Sequence, residues 1–189
     1  MRLGILGGSF DPVHLGHVAL AEAARDALRL DRVLLVPAAS QPLKSVGHGA
    51  PAEDRYAMVR LAARGRPHLE ASDIEIRRPG PSYTVDTLRE VLAGLSPGSE
   101  VFLLLGADAL ADLPRWRDSG EIGRLAVVVG CSRPGCPAPA GAGLCLEAST
   151  PEVSSTEVRR RVAAGAPLAG LVPDDVAAYI ADRGLYRGA

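Results

Sequence analysis

The residues best suited to chemistry lie near the start of the chain: His14 and His17, three apart, with Gly7, Gly8, Ser9 and Phe10 ahead of them. Adjacent glycines let backbone approach a ligand closely, because no Cβ stands in the way. If helical geometry begins near Val13, the spacing puts both imidazoles on one face of the first turn. A helix start offers N–H groups without intrahelical acceptors and the positive end of the dipole, which attract anions and disfavour imidazolium. Two neutral imidazoles beside such a cradle are hydrogen-bond donors suited to phosphate. The glycine spacing is not that of a dinucleotide fingerprint, since the glycine after Gly8 is Gly16, and no Walker loop is present.

The surrounding pattern supplies the elements that must hold these residues. Leu3 to Leu6 reads as a buried parallel strand, His17 to Leu28 as a helix, and Arg32 to Val36 as a second strand, a strand-helix-strand unit with a right-handed crossover. Ligands of such a sheet bind beyond the carboxyl ends of its strands, where Gly7 to His17 and the loop Pro37 to Pro51, carrying Lys44, both emerge. Glu53 to Arg64 reads as a helix with Tyr56, Val59 and Ala63 on its apolar stripe. Leu69, Ala71, Ile74 and Ile76 suggest a strand whose alternation breaks near Ser72 and Asp73. Ser82 or Thr84 is placed to cap a helix carrying Val85, Leu88, Leu92 and Leu95. Val101 to Leu105 is the most continuous apolar strand, and it ends at Asp108, which either caps the next short helix or accepts ribose hydroxyls. Further strands are expected at Leu125 to Val129 and Leu144 to Leu146, with helices opening at Ser154 to Thr156 and running from Pro173 to Asp182.

Several of these segments share a family likeness. Gly7 to His17 resembles the GGxFDPxHxGH signature of the nucleotidyltransferase superfamily, most closely that of the bacterial nicotinate-nucleotide adenylyltransferases. Gln41-Pro42-Leu43-Lys44 sits where that family has a PPHK-like segment, with Leu43 in place of the usual histidine. Pro81 to Leu88 resembles PSYTxDTL, Leu113 to Trp116 resembles LPxW, and Ser154 to Arg159 resembles ISSTxIR, with Val153 and Val158 as departures. Arg117 stands where the family often has an aromatic residue, and Leu185-Tyr186 resembles its LY ending.

The resemblance implies catalytic roles for His14, His17, Lys44 and Arg159. It implies ATP contacts from Gly8, Ser9, Phe10, His14, His17, Asp108, Ser155, Thr156 and Arg159, with nicotinate-nucleotide contacts from Tyr83, Thr84 and Trp116. The implied reaction is AMP transfer from ATP to nicotinate mononucleotide, giving deamido-NAD and pyrophosphate, with Mg2+ held mainly by the ATP phosphates and no protein metal site. A pantetheine-phosphate or cytidylyl transferase shares the HxGH residues, and a non-catalytic nucleotide-binding module would bind ATP without releasing pyrophosphate. The Tyr83 and Trp116 segments favour the nicotinate nucleotide over the first, and the combined His, Lys and Arg set argues against the second.

Composition fits that reading. The chain has 189 residues, 47% of them hydrophobic and 23% charged, which suits one α/β domain with a doubly wound, mainly parallel sheet and a C-terminal helical part from about residue 154 to 189. A formal charge of −1 gives no support for a broad nucleic-acid or anionic-membrane surface. Charges at Glu22, Arg25 and Asp26 interrupt the Ala-rich stretch near residue 20, so no secretory signal or membrane span is expected. Cys131, Cys136 and Cys145 are odd in number and lack metal-ligand spacing, so free thiols and a cytoplasmic location are expected.

Overall fold

In the computed structural model, which describes residues 1–40, 49–132 and 143–188, the apolar runs pair as parallel strands. They are β1 (Arg2–Gly8), β2 (Arg32–Pro37), β3 (Leu69–Ala71), β4 (Glu100–Gly106), β5 (Val127–Ser132) and β6 (Leu144–Glu147), in the sheet order β3-β2-β1-β4-β5-β6. The chain builds outward from β1 through β2 to β3, then crosses back to place β4 on the other side of β1. Ile5 is thus flanked by Leu34 and Leu103. Connections leave in opposite directions beyond the carboxyl ends of β1 and β4, and a crevice opens there.

Alternation along the strands divides the core between the two faces of the sheet. Leu6, Phe102, Leu104 and Val129 face one side, packed with α1 (Leu15–Leu28), α2 (Ala52–Ala63), α7 (Ser155–Ala163) and α8 (Asp174–Asp182). Ile5, Leu103, Leu105 and Val128 face the other, packed with α3 (Ile74–Arg77), α4 (Thr84–Ala93), α5 (Ala107–Asp112) and α6 (Ser119–Leu125). Burial on both faces explains why β4 reads as an unbroken apolar run, and each fully buried side chain of this kind contributes roughly 1.5–3 kcal/mol.

Four local expectations need correction. Beyond β3 the chain does not continue as a strand: Ile74–Arg77 is a helical turn, so Ile74 and its neighbour Glu75 are both buried where alternation would have turned Glu75 outward. On α2 the buried stripe is Arg55, Met58, Val59 and Ala62, not Tyr56, Val59 and Ala63. Leu125 belongs to α6 and not to β5. Neither Ser82 nor Thr84 caps α4: its N-cap is Tyr83, and the Ser82 hydroxyl instead accepts the Ala39 N–H at 3.0 Å.

Candidate active site

Beyond the carboxyl ends of β1 and β4 lies a cavity of about 1050 Å3. At one end, His14 is the N-cap of α1 in extended conformation and His17 follows in the first turn. Their rings stack, with centroids 3.6 Å apart and planes 24° from parallel, while the buried Phe10 ring meets His17 edge-on at 4.9 Å. The shared face expected from a spacing of three is therefore present. Gly16 makes it possible, because a Cβ there would sit 3.0 Å from His14 Nδ1. The Gly7 position is open to the cleft, with nothing within 4 Å of where a Cβ would be.

The His14 N–H donates to His17 Nδ1 at 3.2 Å. That bond gives neutral His17 its proton on Nε2. Burial, and secondarily the charge of His14, pushes the His17 imidazolium down from 6.5 to about 3. Between these values the unfolded chain binds a proton at His17 and the folded chain does not, so stability is lost as pH falls through that window. Lowering the pH from about 7 to about 4.5 should cost wild type up to about 2 kcal/mol more than it costs His17→Gln. Melting curves of both proteins across that range test this, and a constant gap between them would contradict it.

A polar framework fixes the turn that carries the histidines. Asp11 accepts the N–H groups of Gly49 at 2.7 Å and Ala50 at 3.0 Å, and Tyr186 donates its hydroxyl to Asp11 Oδ1 at 2.8 Å. The Tyr186 phenol is pushed upward, first by burial and then by Asp11, and so stays a protonated donor. Arg55, wholly buried, donates to the carbonyls of Ser9 at 2.6 Å, Ala50 at 3.2 Å and Ala39 at 3.3 Å. One guanidinium thus ties the ends of β1 and β2 to the start of α2. From α7, the Ser155 hydroxyl donates to the Pro12 carbonyl at 2.9 Å, and Arg159 donates to the Asp11 carbonyl at 2.7 Å and to Thr156 Oγ1 at 3.3 Å. Ser154, one residue earlier, is the α7 N-cap, accepting the Glu157 N–H at 3.1 Å.

At the other end of the cavity stand Tyr83 and Thr84, at the start of α4, and Trp116. The start of a helix presents N–H groups and the positive end of its dipole, which makes this a second anion-favouring helix start. Arg117 lays its guanidinium 4.8 Å from the centre of the Tyr83 ring, so this departure from the family pattern covers the pocket edge through a cation–π contact. Asp108 lies in the first turn of α5 at the end of β4, exposed on the cavity wall; the N-cap there is Gly106, so Asp108 is not the cap.

The cavity wall therefore brings together Gly8, Ser9, Phe10, His14, His17, Tyr83, Thr84, Asp108, Trp116, Ser155, Thr156 and Arg159. Lys44 and Leu43 lie outside the described residues, as does Cys136. Cys131 and Cys145 are free thiols, the first buried and pushed up to about 11 by that burial. Four polar residues of the site had no assigned role in the sequence reading: Asp11, Arg55, Glu75 and Tyr186. Asp11 and Tyr186 stand inside the quoted GGxFDPxHxGH and LY segments, where the signal was available. Arg55 and Glu75 were hidden by the misplaced stripe of α2 and by the expected strand.

Comparisons with known proteins bear on the family and the fold. Residues 5–161 match the model of the cytidylyltransferase-like family. A Roseiflexus sp. strain RS-1 protein named "Probable nicotinate-nucleotide adenylyltransferase" is 51% identical, covering 98% of each chain. A Thermus thermophilus protein of the same name is 46% identical over 99% of this chain and all of its own. Among solved structures, Plasmodium falciparum nicotinic acid mononucleotide adenylyltransferase complexed with NaAD superposes with a TM-score of 0.78 at 17% identity, covering 98% of this chain and 97% of the other, which shows a shared fold. With a family match over residues 5–161 and near-full-length relatives of this identity, the chain belongs to the nicotinate-nucleotide adenylyltransferase family of cytidylyltransferase-like proteins.

Proposed function

We propose that the protein transfers AMP from ATP to nicotinate mononucleotide, releasing pyrophosphate and forming deamido-NAD in the synthesis of NAD. The observation that carries this reading is one cavity with two anion-favouring helix starts: His14 and His17 at α1, with Arg159 close by, and Tyr83 and Thr84 at α4 beside Trp116. The first suits a triphosphate and the second a ring bearing a carboxylate. The nucleotide's 5′-phosphate attacks the ATP α-phosphorus in line, and no residue becomes covalently attached. Catalysis then rests on alignment and on stabilising charge at the α-phosphate and the departing pyrophosphate.

His14 and His17 are assigned to the α- and β-phosphates, and Arg159 and Lys44 to the β- and γ-phosphates. Gly8, Ser9 and Phe10 supply backbone contacts, Ser155 and Thr156 close the triphosphate site, and Asp108 accepts ribose hydroxyls. Among the described residues no group of three or more His, Cys, Asp or Glu side chains is gathered to hold a metal. Imidazole, guanidinium and N–H donors suit phosphate oxygens, and Mg2+ would enter with the ATP phosphates. When bound, Mg2+ shares the charge of the triphosphate and leaving pyrophosphate. No helix among the described residues is long and apolar enough to cross a membrane. Cys131 and Cys145, free among the described residues, are in keeping with a reducing compartment such as the cytoplasm.

Pyrophosphate release measured with ATP and each of three acceptors tests the reading. Nicotinate mononucleotide should be preferred over nicotinamide mononucleotide and over phosphopantetheine; equal or better use of either competitor would overturn it. Trp116 is expected to hold the pyridine ring flat, a contact sensitive to ring area more than to acid or amide. Its loss in Trp116→Ala, worth about 1 kcal/mol, should raise both mononucleotide KM values roughly fivefold with little change in preference. Unchanged KM values would remove Trp116 from the pocket.

A further inference from the structure

Glu75 is a carboxylate in the wall of the cavity with only 8% of its surface exposed, and no part of the phosphate chemistry uses it. Its surroundings explain how it is tolerated there. Thr87 donates its hydroxyl to Glu75 Oε1 at 2.7 Å, and Ser82 also favours the charged form of the same carboxyl. Arg78, which can only donate, bonds to Thr87 Oγ1 at 3.2 Å, so that oxygen accepts there and gives its proton to Glu75 at 2.7 Å in preference to the Tyr83 carbonyl at 3.4 Å; the Ser82 oxygen accepts the Ala39 N–H at 3.0 Å. Arg78 is itself held by Glu90 at 2.7 Å.

Ser82 and Thr87 bracket Tyr83 and Thr84, the residues at the start of α4. We propose that Glu75 is the positioning residue of the pyridine pocket: by accepting from Thr87 it ties the α4 start to α3, and so sets the preference for an acid over an amide on the ring. The preference follows from geometry, because backbone N–H groups discriminate a carboxylate from a carboxamide only while they stay aimed at it. Burial raises the Glu75 carboxyl, and its hydroxyl partners, with Arg78 beyond them, oppose that rise. The Thr87 hydroxyl thus favours the charged form of the acceptor that holds it.

This inference rests on nicotinate mononucleotide being the acceptor. The test compares KM for ATP, nicotinate mononucleotide and nicotinamide mononucleotide in wild type, Glu75→Ala and Glu75→Gln, with circular dichroism to follow folding. Glu75→Ala should raise the nicotinate nucleotide KM at least about tenfold, leave the ATP KM within about twofold, and lower the acid-over-amide ratio. Glu75→Gln keeps one acceptor and should recover part of the loss. An unchanged ratio, or equal rises in both the ATP and nucleotide KM values, would overturn the proposal. If Glu75→Ala does not fold, Thr87→Val removes the same bond from the other side and must give the same split. Failure of wild type to use nicotinate mononucleotide would instead overturn the functional reading on which the inference stands.

Discussion

Replacing His17 with alanine should lower turnover by about 10²-fold or more while leaving ATP binding much less affected. His17 sits in the first turn of α1 on the cavity wall, its Nδ1 occupied by the His14 N–H, so Nε2 is the nitrogen that carries a proton. With the imidazolium held down at about 3, the ring stays a neutral donor throughout the working pH range and needs no titration to act. A donor fixed in place before charge develops on the α-phosphate contributes most in the transition state, so its loss falls on kcat. Steady-state pyrophosphate release by the folded variant tests this. Near-native kcat would remove His17 from the catalytic set.

Arg55→Ala should be the most destabilising single change at the site, costing about 3–5 kcal/mol and taking activity with it. Arg55 is 1% exposed, and its guanidinium is the donor shared by the Ser9, Ala39 and Ala50 carbonyls. Removal strands three carbonyls, leaves a void under the glycine turn, and takes away the cation that lies near Asp11. Burial lowers the Arg55 pKa while Asp11 opposes that fall. Urea unfolding of the variant measures the cost; a loss under about 1 kcal/mol would mean that the loops hold themselves.

These two residues also mark what the sequence can and cannot convey. His17 was legible because a helix start, a glycine pair and a spacing of three are all local, and local geometry alone brings the two rings together. The same holds for β4, where unbroken apolar residues from Val101 to Leu105 follow directly from burial on both faces. Arg55 was not legible, because which face of α2 turns inward is decided by carbonyls at Ser9 and Ala39, distant in sequence, and not by the helix's own weak apolar stripe. Glu75 was missed for a related reason. Ile74 and Ile76 alternate like strand residues, yet after Ala71 the chain turns into α3, and the turn carries a carboxylate inward to the Thr87 hydroxyl on α4. Ser82 looked like a helix cap, but tertiary contact took it instead to the Ala39 N–H. Tertiary hydrogen bonds therefore decided the polar framework, and hydrophobic periodicity decided the sheet.

Following label from ATP into products in the presence of nicotinate mononucleotide tests the central claim most directly. Label at the α-phosphorus should appear in deamido-NAD and label at the γ-phosphorus in pyrophosphate, one of each per turnover and neither on the protein. Release of the α-label as free AMP, its retention on the enzyme, or no transfer to nicotinate mononucleotide would contradict the account.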